Sequence, residues 1–185
     1  EAGTIADVAY TYDALNRIDT ETSNGVTHEY HYDLAGNRLL AKFGDGQGGF
    51  LFEIESTYDP LNRTMTMTED GRVSGYQYDA SGNIVVKQQA NGHKVRKTYD
   101  ALGRTRTISG PGYDGQQFYL YLNHYDLFGN LARIEETYPR GNLSDRTITN
   151  TYDEANRLTD ELIEGDEDVL TVYGYDNANN RTSKK

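Results

Sequence analysis

Several residue types are absent from this 185-residue chain or rare in it, and each absence narrows its possible structures. There is no cysteine, which excludes disulfides and thiolate metal sites but does not fix the compartment. There is no tryptophan, and hydrophobic residues make up only 36%. That share is thin for a compact globular core. It suits a sheet in which amphipathic tyrosine rings pack across strands.

Positive charge is also scarce. The formal net charge is −11 and the isoelectric point is about 4.7. Nucleic acids and anionic membranes attract basic surfaces, so neither is expected as a partner. The sequence has no long hydrophobic run, signal peptide or lipidation motif, which predicts no direct membrane insertion by this segment.

Motifs that carry catalysis are missing as well. The chain has no nucleophile elbow, zinc-protease motif, Walker loop or dinucleotide fingerprint, so we expect no enzyme activity, no cofactor and no metal. His31 and His124 hold the same place before a tyrosine, which indicates a structural position. Glu164–Asp168 offers oxygen atoms to calcium, but it lacks the spacing of an EF-hand and is interpreted as a solvated loop. Gly44–Gly49 is interpreted as a flexible connector.

What the chain does contain is sixteen tyrosines, eight of which begin a periodic Tyr-Asp motif. The pairs recur every 20 to 27 residues, a period that indicates an array of one small unit. They are Tyr12-Asp13, Tyr32-Asp33, Tyr58-Asp59, Tyr78-Asp79, Tyr99-Asp100, Tyr125-Asp126, Tyr152-Asp153 and Tyr175-Asp176.

Each pair begins a six-residue motif that predicts a tight turn. Counting the tyrosine as position one, position five is always glycine or asparagine, the residues that best tolerate a positive φ. These residues are Asn16, Gly36, Asn62, Gly82, Gly103, Gly129, Asn156 and Asn179. Aspartate followed three residues later by such a residue is typical of a type I turn that joins antiparallel strands through a bulge. The aspartate side chain is expected to accept hydrogen bonds from the backbone of its own turn.

Position six alternates strictly between arginine and asparagine along the chain. We call the turns that begin at Asp13, Asp59, Asp100 and Asp153 odd, and those that begin at Asp33, Asp79, Asp126 and Asp176 even. Odd turns have arginine at position six and even turns have asparagine. Two interpretations remain open: an ancestral duplication, or different neighbours for odd and even hairpins.

Between the Tyr-Asp motifs lies a second set of turns, so each repeat is predicted to be strand, turn, strand, turn. Asn24-Gly25, Asp70-Gly71 and Asn91-Gly92 are typical of two-residue hairpin loops. The predicted fold is all-β: about fifteen antiparallel strands in repeated hairpins, forming one long twisted sheet. Residues 1–185 are predicted to be a single array, an excerpt of a larger one.

The periodic Y-D-x-x-G-[N/R] motif, often preceded by Y-x-Y, resembles the Rhs repeat family, also called YD repeats. That family includes bacterial Rhs toxins, the C component of insecticidal toxin complexes, wall-associated proteins and animal teneurins. The resemblance covers nearly the whole chain and implies a sheet that spirals into a hollow shell, which in the toxins encloses a C-terminal toxic domain. Two departures are Asn179, where glycine is more usual, and the lack of the family's closing segment.

The resemblance and the missing catalytic motifs together predict a noncatalytic structural segment of a secreted or surface shell, most plausibly bacterial. Its expected partners are the remaining repeats of the same polypeptide and an enclosed cargo domain. The alternative is a cell-surface adhesion or carbohydrate-binding module, because aromatic side chains near amides stack on sugars. Four tyrosines outside the repeated motif are the candidates for this role: Tyr113, Tyr119, Tyr121 and Tyr138.

Overall fold

The computed structural model describes residues 7–111, 118–140 and 143–185, and within these residues it contains β-strands and no helix. The strands are β1 (Val8–Tyr12), β2 (Ile18–Ser23), β3 (Val26–Tyr32), β4 (Arg38–Gly44), β5 (Phe50–Tyr58), β6 (Thr64–Glu69), β7 (Arg72–Tyr78), β8 (Ile84–Gln88), β9 (Lys94–Tyr99), β10 (Thr105–Pro111), β11 (Phe118–Tyr125), β12 (Leu131–Arg140), β13 (Arg146–Tyr152), β14 (Leu158–Glu164), β15 (Val169–Tyr175) and β16 (Arg181–Lys184).

The sixteen strands form one open antiparallel sheet, and their order in the sheet is their order in the chain. This confirms the all-β fold of repeated hairpins, with one strand more than the approximate count expected from the turns. Each Tyr-Asp turn joins two successive strands, and each second turn leads to the next pair. No described helix is long and apolar enough to cross a membrane.

The chain divides into two compact units. The first consists of Glu1–Gln77 with Gln88–Gly92. Its most buried region lies where β4 pairs with β5: Ala41 opposes Ile54 and is 1% exposed, and the rings of Phe43 and Phe52 stack 4.5 Å apart. Along β5, half-buried and exposed side chains alternate, because successive residues of a strand point to opposite faces.

The second unit consists of Tyr78–Lys87 with His93–Lys185. One face of its sheet has a row of isoleucines directly opposite one another, in which Ile134 on β12 faces Ile148 on β13 and Ile148 faces Ile163 on β14. These side chains are half-buried. Among the residues described, Ala41 is the one fully buried hydrophobic residue, so the thin core expected from composition is present in the fold.

The second turns follow their sequence signals at two of three positions. Asn24 and Gly25 both have positive φ, 50° and 78°, as do Asp70 and Gly71 at 48° and 75°. The residues on either side pair directly, so both loops contain two residues. Asn91-Gly92 differs, because the Gly92 amide donates to the Gln89 carbonyl at 2.8 Å. The two residues therefore end a four-residue turn like those that follow the tyrosines, and the two-residue prediction is wrong there.

Candidate binding surface along the tyrosine–aspartate turns

The turn that begins at Asp13 shows how the motif works. The Asn16 amide donates to the Asp13 carbonyl at 3.0 Å, and Asn16 has a φ of 61°. The Asp13 Oδ1 atom accepts from the amides of Leu15 and Arg17, at 2.8 and 3.0 Å. The strand register shifts between Thr11 and Tyr12, which is the bulge expected from a left-handed residue at position five. A single carboxylate thus holds both ends of its turn.

The same backbone pattern recurs in all eight turns. In each, the aspartate amide donates to the carbonyl of position six, and the amide of position five donates back to the aspartate carbonyl, at distances of 2.8 to 3.2 Å. The pKa of each aspartate is below its usual value. For Asp13 the main cause is the backbone hydrogen bond from Arg17, and for Asp33 it is the side-chain hydrogen bond from Asn37. These donors favour the charged carboxylate.

The tyrosine at position one links its repeat to the preceding one. The Tyr58 hydroxyl donates to the Arg38 carbonyl at 2.9 Å, and the Tyr152 hydroxyl donates to the Leu131 carbonyl at 3.0 Å. The acceptor in each case is the first residue after the preceding turn. The same bond is present from Tyr99 to Ile84, from Tyr125 to Thr105 and from Tyr175 to Leu158.

In the odd turns of Asp13 and Asp153 the arginine at position six bridges to the following even turn. Arg17 binds the Asp13 carboxylate through Nε and Nη2, both at 2.7 Å, and its Nη1 donates to the Asp33 carbonyl at 2.6 Å. Its guanidinium also lies 4.6 Å from the centre of the Tyr32 ring. Arg157 likewise donates to the Asp176 carbonyl at 3.2 Å and lies 4.9 Å from the centre of the Tyr175 ring.

In the even turns of Asp33 and Asp126 the shorter asparagine makes a different link. Asn37 Nδ2 donates to Asp33 Oδ2 and to Asn62 Oδ1 of the next odd turn, both at 2.8 Å. Asn130 makes the same pair of bonds, to Asp126 and to Asn156, at 2.9 Å. The alternation of arginine and asparagine therefore corresponds to two kinds of contact between neighbouring turns, which supports the second of the two interpretations left open by the sequence.

The shorter side chain leaves a cleft where an even turn meets the next odd turn in the second unit. One cleft, of about 450 Å³, is lined by Asp126, Phe128, Asn130 and Tyr152 among others. Another, of about 570 Å³, lies at the equivalent place and is lined by residues that include Asn83 and Tyr99. No sequence motif marks these clefts, although each lies at a turn whose position six is asparagine and not arginine.

Large apolar side chains are exposed at the tips of the turns, at position three or four. They are Leu15, Leu34, Leu61, Leu102, Leu127 and Phe128. Leu34 and Leu127 are at least 94% exposed. Sequence reasoning missed them, although a leucine at these positions in a polar turn was a visible signal.

Three of the four tyrosines proposed for sugar stacking lie together on one face of the second unit. The rings of Tyr119 and Tyr121 stack 5.0 Å apart, and Tyr138 meets Tyr121 edge-on at 6.3 Å. All three tyrosines are half-buried, so part of each ring's surface is covered and is not available to a ligand. Tyr113 lies outside the described residues.

Beside these tyrosines is a buried carboxylate that the sequence did not single out. Glu136 is 7% exposed and accepts from the Tyr138 hydroxyl at 2.8 Å and from Arg146 Nε at 2.5 Å. Burial raises the pKa of Tyr138, and its hydrogen bonds with Tyr121 and Glu136 raise it further. Glu136 directly opposes Arg146 on the neighbouring strand, a relationship that depends on register and so was not visible in the sequence.

The described contacts of His124 and of the Gly44–Gly49 loop are local. His124 lies 3.1 Å from Glu135 on an exposed part of β11. In the Gly44–Gly49 loop, Asp45 Oδ1 accepts from the amides of Gln47 and Gly49, so this connector is an aspartate-capped turn. Within residues 7–111, 118–140 and 143–185, no group of three histidine, aspartate or glutamate side chains is placed to hold a metal ion.

No protein-family model matches the sequence, and no curated protein matches it either. Among solved structures, the fold is similar to a crystal structure of TcdB2-TccC3 without its hypervariable C-terminal region. The TM-score is 0.74 at 17% identity, over 98% of this chain and 10% of the other. It is also similar to a mutant Tc holotoxin pore of Photorhabdus luminescens, with a TM-score of 0.71 at 18% identity, over 95% of this chain and 10% of the other.

These similarities confirm, at the level of the fold, the resemblance to toxin complexes that the Tyr-Asp motifs indicate. The chain spans about a tenth of the length of the chains that it matches.

Proposed function

We propose that this chain is a noncatalytic structural segment of a YD-repeat shell, and that the shell encloses a toxin or other cargo domain of a bacterial secreted or surface protein. Residues 1–185 are then one stretch of a longer array. Its partners are the other repeats of the same polypeptide and the enclosed domain.

The observation that carries this proposal is the line of contacts between successive turns. Five repeats are bonded to the preceding one through a tyrosine hydroxyl, and the turns are joined by Arg17 to Asp33 and by Asn37 to Asn62 in the first unit. Asn130 to Asn156 and Arg157 to Asp176 repeat this arrangement in the second unit. Such nearest-neighbour coupling stabilises an extended wall and gives stability to each repeat through its neighbours.

Two further observations support a wall that belongs to a larger body. The exposed leucines at the turn tips offer apolar surface for contact with other parts of the protein. The fold is shared with about a tenth of each toxin-complex chain, as expected for one segment among many.

The test uses the native full-length polypeptide, with its intact mass measured and both ends sequenced. We expect a chain several times longer with a nonrepetitive C-terminal domain. Limited proteolysis of the folded protein should leave that domain intact, and the same protease should digest it once the repeats are unfolded. A domain that is cleaved equally fast in both states contradicts encapsulation, and a C-terminal wall or membrane anchor with no such domain favours adhesion.

A carbohydrate-binding role is the second candidate, favoured by the gathering of Tyr119, Tyr121 and Tyr138 beside Glu136. It predicts glycan binding that is lost in Tyr119→Ala and Tyr121→Ala but kept in Tyr10→Ala, which removes an exposed tyrosine elsewhere. The absence of binding across a broad glycan panel would exclude it.

A further inference from the structure

The cleft between the turn of Asp126 and the turn of Asp153 has an informative counterpart inside the same chain. Where an odd turn meets an even turn, the corresponding space holds a guanidinium. Arg17 there makes three kinds of contact: with the carboxylate of its own turn, with the main-chain carbonyl of Asp33, and with the ring of Tyr32.

The cleft presents the same three kinds of group and lacks the cation. Its lining includes the Asp126 carboxylate, the residue Asp153 with its main-chain carbonyl, and Tyr152. The residue equivalent to Arg17 is Asn130, whose amide bonds Asp126 and Asn156. Asparagine ends where the arginine side chain would continue, and the cleft of about 450 Å³ lies beyond it.

The charge and polarity of the cleft also favour a cation. In the part of the chain that the structure describes, Asp126 accepts hydrogen bonds from neutral groups, namely the amides of Phe128 and Asn130 and the Asn130 side chain. Asn150, which is half-buried, also lines the cleft. Phe128, 82% exposed, supplies an apolar wall for the methylene groups of a long basic side chain.

We propose that this cleft binds the guanidinium group of an arginine presented by a partner polypeptide. The guanidinium lies over the Tyr152 ring and donates to Asp126 and to the Asp153 carbonyl. The planar, multidentate donor geometry of arginine matches this set better than the point charge of lysine does. A peptide is the source because the flanking acids, Asp126 and Glu154, repel the free carboxylate of the amino acid. This site goes beyond the proposed wall function and does not depend on it.

The first test is a titration of the ¹⁵N-labelled 185-residue chain, followed by NMR, with the end-capped peptide Gly-Gly-Arg-Gly-Gly. We expect saturable shifts at the side-chain amides of Asn130 and Asn150. The same peptide with citrulline, which is neutral and of similar shape, should bind at least about tenfold more weakly. Free arginine should also bind more weakly than the capped peptide. Equal binding of citrulline overturns the charge recognition, and equal or tighter binding of free arginine overturns the polypeptide source.

The second test uses substitutions in the chain itself, the first of which places an arginine side chain in the cleft. Asn130→Arg gives this even turn the arginine of an odd turn, so its own guanidinium should occupy the space and abolish peptide binding while circular dichroism stays unchanged. Asn180→Arg adds the same charge at position six of the last turn and should leave binding intact. Tyr152→Phe keeps the ring and removes only the hydroxyl, so binding should persist. Undiminished binding in a folded Asn130→Arg variant, or lost binding in a folded Tyr152→Phe variant, overturns the proposed geometry.

Discussion

Arg17 Nη1 donates to the main-chain carbonyl of Asp33 at 2.6 Å. The two residues are sixteen apart in sequence, so this bond joins two neighbouring turns. The same guanidinium holds the carboxylate of its own turn and lies over the ring of Tyr32. One side chain therefore caps its own hairpin and connects it to the next one. This double role explains why position six holds arginine in odd turns, whereas a residue that only capped its turn could be much shorter.

The double role predicts the effect of Arg17→Asn. Asparagine caps the even turns through the same aspartate oxygen, as Asn37 does for Asp33, so the Asp13 turn should persist while its link to the next turn is lost. We expect the free energy of unfolding to fall by about 1 kcal/mol, the usual net contribution of a hydrogen bond, because the pair is only partly buried. Urea denaturation followed by circular dichroism measures the change.

Arg72→Asn is the matched control for this substitution, because it removes the same charge from an exposed residue of β7. It should change stability little. If the two variants lose equal stability, the effect of Arg17→Asn is one of net charge and the proposed bridge is wrong.

The asparagine link predicts a difference between two substitutions of the same kind. Asn16 and Asn156 both occupy position five of odd turns, with φ values of 61° and 58°. Replacement by glycine relieves the same left-handed strain in both. Asn156 also accepts a hydrogen bond from Asn130, whereas Asn16 belongs to the first turn, which no described turn precedes.

We therefore expect the free energy of unfolding, measured by urea denaturation, to be lower for Asn156→Gly than for Asn16→Gly by roughly 0.5–1 kcal/mol. This is the low end of the range for a hydrogen bond, because the bond from Asn130 to Asn156 is exposed. The double variant Asn130→Ala/Asn156→Gly should show coupling between the two sites. Equal effects at Asn16 and Asn156, with additive energies in the double variant, would show that the bond between turns contributes nothing.

The turns were predictable from sequence because all of their determinants lie within six residues. An aspartate at position two and a left-handed residue at position five specify the geometry without reference to the rest of the chain. The contacts that Arg17 and Asn37 make with the following turns could not be predicted in that way, because their partners lie sixteen and twenty-five residues away. The environment of Glu136 depends on strand register. The two-residue prediction failed at Asn91-Gly92 because these residues close a turn that begins at Gln89.

The capping role of aspartate is tested by Asp79→Ala. Asp79 accepts from the Asn83 amide at 2.8 Å and from Asn83 Nδ2 at 3.0 Å, and alanine removes both acceptors. We expect a lower melting temperature and faster hydrogen exchange of the Gly82 amide, which closes the turn on the Asp79 carbonyl. Asp166→Ala, which removes the same charge from an exposed loop, is the control. Unchanged protection of Gly82 would argue against the capping role.

The eight lowered aspartate pKa values predict a stability that depends on acid pH. A group whose pKa is lower in the folded state stabilises that state above its unfolded value of about 3.9, and this stabilisation disappears as the pH falls through the folded value. Urea midpoints should therefore be nearly constant from pH 7 to 5 and should fall below about pH 4. The double variant Asp59→Asn/Asp100→Asn should show a shallower acid loss than Asp166→Asn/Asp168→Asn, which removes two exposed loop carboxylates. Equal slopes for the two variants would mean that the turn carboxylates do not set the acid stability.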